Sequence, residues 1–345
     1  MGRREFGVIL LIIVGFALIF SGHVDLLFAL LAISVGLALV FLASEMVVEG
    51  FKGFSEYTGF TEYMTGIISS LASNLPETVL AIFMIFSPHL REIAILTVML
   101  ASAFNGVLLG IMVIMLTYKG GSIKVPKEAL EQDVEIMRIT IAFSVIILGT
   151  GLILNVFHGE PYLPIEVPIF LLLAYISYLY FISKGSRRRV ATERVKGRKW
   201  IYFLFVSLIS IVVSAELISE ATEYFVHELN LHMVIAATLI AFAGSVPEHS
   251  LALVGTRHGY IELGVSNLIS GVVQSIMLVF PLLAIIVPVY LDGYVLYQFL
   301  AIASTLWIMK KAIIDDGKLT VDEGVSIVMA HLLGIILFDE LSWLI

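Results

Sequence analysis

A chain of 345 residues that is 59% hydrophobic and only 14% charged, with a mean hydropathy of +1.03, has too little polar surface to face water. Lipid is therefore its solvent, which excludes a soluble domain, a disordered or collagen-like chain and a nucleic-acid module. The lack of cysteine excludes disulfides, thiolate metal sites and a cysteine nucleophile, and the net charge of −8 matters less than where its residues fall.

Crossing hydrocarbon as a helix takes about 20 mostly apolar residues, because no water is present to satisfy an open backbone. Eleven stretches qualify, so the expected fold class is an all-α integral membrane protein of eleven transmembrane helices. Six lie at roughly 5–22, 25–50, 61–86, 91–117, 134–157 and 163–183. Five more, at roughly 199–226, 231–255, 260–291, 294–311 and 321–344, follow a basic stretch. Arg3 and Arg4 give the first stretch the look of a signal peptide, but no small-residue cleavage site precedes the next apolar run, so it reads as a helix.

Assigning alternate connections to alternate sides puts Arg3, Arg4, Lys52, Lys119, Lys124, Lys127, the run 187–199, Arg257, Lys310, Lys311 and Lys318 together, against little more than Arg91 opposite. This asymmetry predicts a cytoplasmic N-terminus and a C-terminus on the other side. Residues 184–198 form a basic cytoplasmic linker that anchors this topology, with binding of lipid head groups or a regulator as the other reading.

The sequence repeats itself. Ser73-Asn74-Leu75-Pro76-Glu77 returns as Gly244-Ser245-Val246-Pro247-Glu248, so that Glu248 lies 171 positions after Glu77. Glu216 follows Glu45, and Glu220 follows Glu49, by the same 171. On the predicted topology one copy is entered from outside and the other from inside. The expected organisation is an extra N-terminal helix over 1–24, a first five-helix repeat over 25–183, the linker, and an inverted second repeat over 199–345.

Each Pro-Glu motif sits well inside an apolar stretch, where an ionised carboxylate is costly. In the first, Asn74 is placed to cap, Pro76 falls at an early helical position and Glu77 at the third, a pattern close to a capping box. At membrane depth that start predicts a discontinuous helix whose released carbonyls line a cavity. Carbonyls and two carboxylates from facing half-helices make a hard, all-oxygen site suited to Ca2+ rather than Zn2+; the competing reading is a glutamate that serves only as a cap.

Asn105 and Gln274, 169 positions apart, stand in the helix after each motif. Their amides either ligate a cation or hold the glutamates, and plain interhelical hydrogen bonding is the alternative. Ser73, Ser102, Ser245 and Ser270 carry the same choice, with small-residue packing favoured for Ser270. Glu45 with Glu49, and Glu216 with Glu220, each share a helix face and form either a vestibule or proton route or a set of snorkelling structural acids. His249 either tunes Glu248 and shuttles protons or is a structural histidine.

Two look-alikes are set aside. His227 and His232 flank one residue too many for a metalloprotease helix, which turns them roughly 140° apart, and are expected in a loop. The run Asp316–Glu323 imitates the end of an EF-hand, but Ala312 and Ile314 stand where the first ligands belong, so a cytoplasmic turn is expected.

These motifs resemble the calcium/cation antiporter superfamily, whose paired repeats carry a Gly-x-x-x-Glu type motif in the second helix of each half. Its sodium/calcium exchangers typically show Thr-Ser-x-Pro-Glu; this chain has Ser73-Asn74 and Gly244-Ser245 there but keeps Pro76 and Pro247. The Glu248-His249 pair, Gln274 followed by Leu278-Val279-Phe280-Pro281, and the extra N-terminal helix are similar to the calcium/proton branch. The resemblance implies a ten-helix core of two inverted five-helix repeats with Glu77 and Glu248 as the central ligands.

The expectation is a Ca2+/H+ antiporter in which Glu77 and Glu248 bind Ca2+ or protons in competition, in contact with membrane lipid and without a resident cofactor or enzymatic activity. Na+/Ca2+ exchange on the same fold is the alternative. A cation channel is a weaker reading, since channels usually gather acid rings from symmetric subunits. An intramembrane hydrolase is weaker still, because no nucleophile or metal set is present.

Overall fold

The computed structural model describes the backbone of residues 3–22, 25–58, 70–72, 74–87, 90–124, 127–158, 161–185, 199–241, 245, 261–338 and 341. These are predominantly helical. In chain order the helices are α1 (Arg3–Ile19), α2 (Leu26–Thr58), α3 (Leu75–Phe86), α4 (Arg91–Thr117), α5 (Lys127–His158), α6 (Glu166–Gly185), α7 (Lys199–His227), α8 (233–241), α9 (Ile261–Gln274), α10 (Phe280–Ile286), α11 (Gly293–Lys311) and α12 (Val321–Ile336). Among the described residues five helical stretches are long and apolar enough to cross a membrane: Leu26–Phe51, Arg91–Thr117, Asp133–Phe157, Lys199–His227 and Val265–Ile286. Ser70–Phe86 and Glu166–Phe181 are shorter apolar helices.

The chain divides into two compact units, each drawn from both halves of the sequence: Met1–Thr97 with Leu179–Pro247, and Val98–Tyr178 with Glu248–Ile345. In the first unit α2 and α7 lie side by side and antiparallel, as Gly36 against Ser214 and Ile218, Gly50 against Leu204 and Gly53 against Trp200 show. Glycine lets the backbones approach this closely, and the approach is fixed by the Ser214 hydroxyl, which donates to the Gly36 carbonyl at 2.7 Å. Phe28, Ala29, Ala32 and Leu39 of α2 meet Val213, Leu217 and Ala221 of α7 in one apolar cluster, with Leu11 and Ile12 of α1 packed against it.

In the second unit α5 packs along α11, where Gly151 admits Leu296. The pairs Gly110–Gly324 and Gly106–His331 bring α4 and α12 together in antiparallel contact. Extended segments tie this unit at two places. Strands β1 (Ser122–Lys124) and β2 (Lys318–Thr320) pair antiparallel, with Ile123 opposite Leu319, and each follows a glycine of positive φ, Gly121 and Gly317. Elsewhere Leu163 N donates to the Val289 carbonyl at 2.9 Å and Leu291 N to the Pro161 carbonyl at 2.8 Å, around a Tyr162–Tyr290 bridge.

The fold is predominantly helical as expected, with one addition the sequence did not suggest: loops that pair with one another satisfy part of their backbone in a short ladder. The run Asp316–Glu323 is not a simple turn either. A five-residue π segment, Ala312–Asp316, leads through Gly317 into β2 and then into a capping box at Thr320 and Glu323 that starts α12. Likewise His227 is the last residue of α7 rather than a loop residue, and only the connection after it is irregular, with Asn230 left-handed and Leu231 N reaching back to the Phe225 carbonyl.

Candidate ion-binding site

Glu77 lies in the first unit, at the third residue of α3, and is 2% exposed. Pro76 at the second position has no N–H, so the Ala72 carbonyl cannot receive its i+4 bond and the helical ladder is interrupted here. The expected asparagine cap is not formed. Asn74 has φ −85° and ψ −8°, its side chain makes no capping bond, and its N–H donates to the Ser70 carbonyl at 3.2 Å. A side-chain cap needs extended backbone at that residue, and a chain already helical over 70–72 denies it. The Asn74 carbonyl instead accepts from both the amide and the hydroxyl of Thr78, at 3.0 and 2.8 Å. Asn74 and Glu77 are thus both buried beside an interrupted ladder.

Ser245, also buried in this unit, donates to the Ala241 carbonyl at 2.6 Å. Ser73, Gly244, Glu248 and His249 lie outside the described residues. Among the described residues no three His, Asp or Glu side chains converge into a metal cage.

The repeated acid pairs are placed differently from one another. Glu45 and Glu49 both bind Arg4, whose two terminal nitrogens approach their carboxylates at 2.8 and 2.7 Å near the start of α1. Glu216 is half-buried on α7, whereas Glu220 lines a cavity of about 760 Å3 together with Asp25, Glu223, Tyr224, His227 and Glu228.

In the second unit Ser102 and Asn105 are fully buried in the middle of α4. Gln274, 1% exposed, ends α9 and lies near Ser270, with 3.4 Å between the amide nitrogen and the hydroxyl. From Ser275 to Val279 the chain winds as a π-helix, in which the Phe280 N–H reaches the Ser275 carbonyl five residues back. Pro281 gives the reason: lacking a donor, it breaks the ladder one residue later, and a widened turn ahead of it absorbs the mismatch.

The polar mid-helix segments, the two proline-interrupted helices and the paired glycine contacts can be set beside known proteins. The family described as sodium/calcium exchanger protein matches residues 28–184 and 199–338. The chain belongs to this family. It is thereby a member of the calcium/cation antiporter superfamily and an integral, multi-pass membrane protein. Its fold is similar to the crystal structure of the H+/Ca2+ exchanger CAX, with a TM-score of 0.75 at 16% identity over 98% of this chain and 88% of that one. It is also similar to the sodium-calcium exchanger NCX_Mj soaked with Na+ and Sr2+, with a TM-score of 0.62 at 18% identity over 89% of this chain and 97% of that one. No curated protein sequence matches.

Two buried pairs in this exchanger-family chain carried no mark in the sequence. Ser266 of α9 donates to Asp133 of α5 at 2.7 Å, with the carboxylate 6% exposed. His331 of α12 shares a hydrogen bond of 2.9 Å with Thr305 of α11 and is wholly buried. Neither belongs to the 171-residue register, so internal repetition could not expose them; only the break in an apolar pattern was available as a signal.

Proposed function

We propose that the chain is a secondary antiporter exchanging Ca2+ for H+ by alternating access, with Glu77 and Glu248 as the carboxylates that Ca2+ and protons contest. One observation carries this reading: Glu77 is buried at the start of a helix that Pro76 interrupts within an apolar segment. An ionised carboxylate at such depth is costly, and binding a cation or a proton lowers that cost. The second motif supplies the matching acid, and two empty carboxylates repel until either one Ca2+ or protons occupy them. Ca2+ takes oxygen ligands, and the residues proposed to supply them beside the two glutamates are Ser73, Asn74, Ser102, Asn105, Gly244 through its carbonyl, Ser245 and Gln274, whose oxygens are of the kind it binds. Here Ca2+ and H+ are the cargo. Glu216, Glu220 and His249 belong to the approaches, with the acidic cavity at Glu220 as an ion-gathering mouth, whereas Glu45 and Glu49, bound by Arg4, take the structural role of acids near the surface.

The same reading takes the chain as eleven transmembrane helices, one extra helix before two inverted five-helix repeats, with the N-terminus cytoplasmic. Two facts support the inversion. The first helices of the proposed repeats, α2 and α7, run antiparallel. The two loop pairings of the second unit also exchange under the repeat: β1 follows the third helix of one half and meets the loop after the fourth helix of the other, and residues 289–291 and 161–163 do the same with the halves reversed. Proton coupling is supported by the broader likeness to the H+/Ca2+ exchanger and by the Glu248-His249 pair.

Purified protein in vesicles tests this. Ca2+ uptake is expected to follow an imposed pH gradient and to fall to background in Glu77→Gln. A variant that still exchanged normally would remove the mechanism. Na+/Ca2+ exchange is the second reading, favoured by Pro76 and Pro247 in the motifs; uptake that ignores the pH gradient and follows a Na+ gradient would select it.

A further inference from the structure

Four polar atoms in the second unit are sealed inside the protein with no hydrogen-bond partner among the described residues: the Tyr294 hydroxyl, both ends of the Gln298 amide, and Nδ1 of His331. All three residues are at most 1% exposed, and all lie where α11 faces α12. Tyr294 and Gln298 are one turn apart on α11 and approach each other without reaching hydrogen-bond geometry. Two turns further along the same face Thr305 meets His331 Nε2.

From α12, Gly334 lies against the Gln298 amide, where a Cβ would come within 2.9 Å of its nitrogen, and the Phe338 ring beyond α12 covers Tyr294 at 4.5 Å. The two helices are held beside this seam by the Tyr297 hydroxyl, which donates to the Ala330 carbonyl at 2.8 Å. At the inner end the His331 ring lies on Gly106 of α4, in the space a side chain there would need, one residue from Asn105.

Leaving a buried polar atom unpaired forfeits the hydration it had in the unfolded chain, and the net stability of a folded chain is only a few such penalties wide. Four such atoms on one seam call for partners. A phenol, an amide and an imidazole nitrogen carry no formal charge, and together they both donate and accept. That set fits neither a bare cation nor an anion; it fits water, which needs two to four polar partners. From Tyr294 to Thr305 the helix rises about 16 Å, roughly half of a hydrocarbon core about 30 Å thick. The seam thus runs from the Asp292 end of α11 to the middle of α4.

We propose that the α11–α12 seam is a hydrated proton route, in which bound water joins Tyr294, Gln298 and His331 and carries protons between the Asp292 end of α11 and the α4 segment that bears Asn105. The ionisable groups along it are Tyr294, Tyr297 and His331, with Asp292 at its mouth; α4 contributes none at Gly106. A proton accepted at one ring nitrogen of His331 releases the one on the other, so the ring passes a proton on without keeping charge. This route rests on the reading that protons are the coupled ion.

Hydroxyl-radical footprinting of the full-length protein in nanodiscs tests the water directly. Tyr294 and His331 should be oxidised although buried, while Phe280 and Phe299, equally buried and apolar, should not. Labelling no greater than at the two phenylalanines overturns the proposal. In vesicles, Tyr294→Phe combined with Gln298→Leu should slow Ca2+-driven proton movement by at least about tenfold, the low end of what positioned proton-transfer groups supply, with Ca2+ affinity unchanged. Unchanged proton movement with higher thermal stability would mean a dry seam and overturn it. Wild-type protein that moves Ca2+ but no protons would sink the coupling reading and the route together, whereas protons moving equally in wild type and variant would sink the route alone.

Discussion

A charged side chain inside a membrane segment is either tied to an opposite charge near the surface or buried in the interior, and this chain shows both placements at positions its sequence makes look alike. Glu45 and Glu49 stand about half exposed and bind one guanidinium; Glu77 is buried at an interrupted helix start. Pairs this exposed contribute at most about 1 kcal/mol, so Arg4→Ala should lower thermal stability slightly and leave Ca2+ exchange intact. A transport defect in a well-folded Arg4→Ala protein would instead return Glu45 and Glu49 to the ion path. Glu77 was legible because proline and glutamate together break an apolar run. Its true local geometry was not, because capping rules assume an extended residue ahead of the helix, and the helical turn at 70–72 removes that condition. Arg4 as the partner of Glu45 was also hidden, since a contact 41 positions away leaves no local pattern.

At the level of elements, proline acts twice on the backbone. Pro76 interrupts α3 one residue before Glu77, and Pro281 follows a π turn that begins one residue after Gln274. Both irregularities adjoin proposed ligands, and both expose or displace carbonyls that a regular helix would consume. Pro76→Ala should therefore mend the ladder: helix content and melting temperature hold or rise, while Ca2+ exchange falls by about tenfold or more if the freed carbonyl matters. Normal exchange with a raised melting temperature would show that the break is incidental. Long helices were readable from hydropathy alone. The two strands were not, because three residues are too few to carry an alternating pattern, and their pairing depends on Gly121 and Gly317 turning two distant loops toward each other.

Across the whole molecule, repetition is a signal that hydropathy does not carry. The 171-residue register points to paired halves, and on that proposal α2 and α7, which run antiparallel, are their first helices. Which segments gather into each compact unit was beyond the sequence, because that grouping rests on packing between helices far apart in the chain. Orientation has a simple check, as there is no native cysteine to interfere. A cysteine at Lys124 should react with a membrane-impermeant thiol reagent only from the cytoplasm, and one at Asp292 only from outside; the reverse pattern would invert the proposed topology. The interleaving of halves has a further outcome. Because both units are stitched from residues on either side of 186–198, by the α2–α7 wall in one and the β1–β2 clasp in the other, peptide continuity through that stretch is dispensable for keeping the halves together. Two separately expressed pieces, 1–190 and 191–345, should find each other in the bilayer, co-purify through a tag on one of them, and regain Ca2+ exchange as a nicked pair.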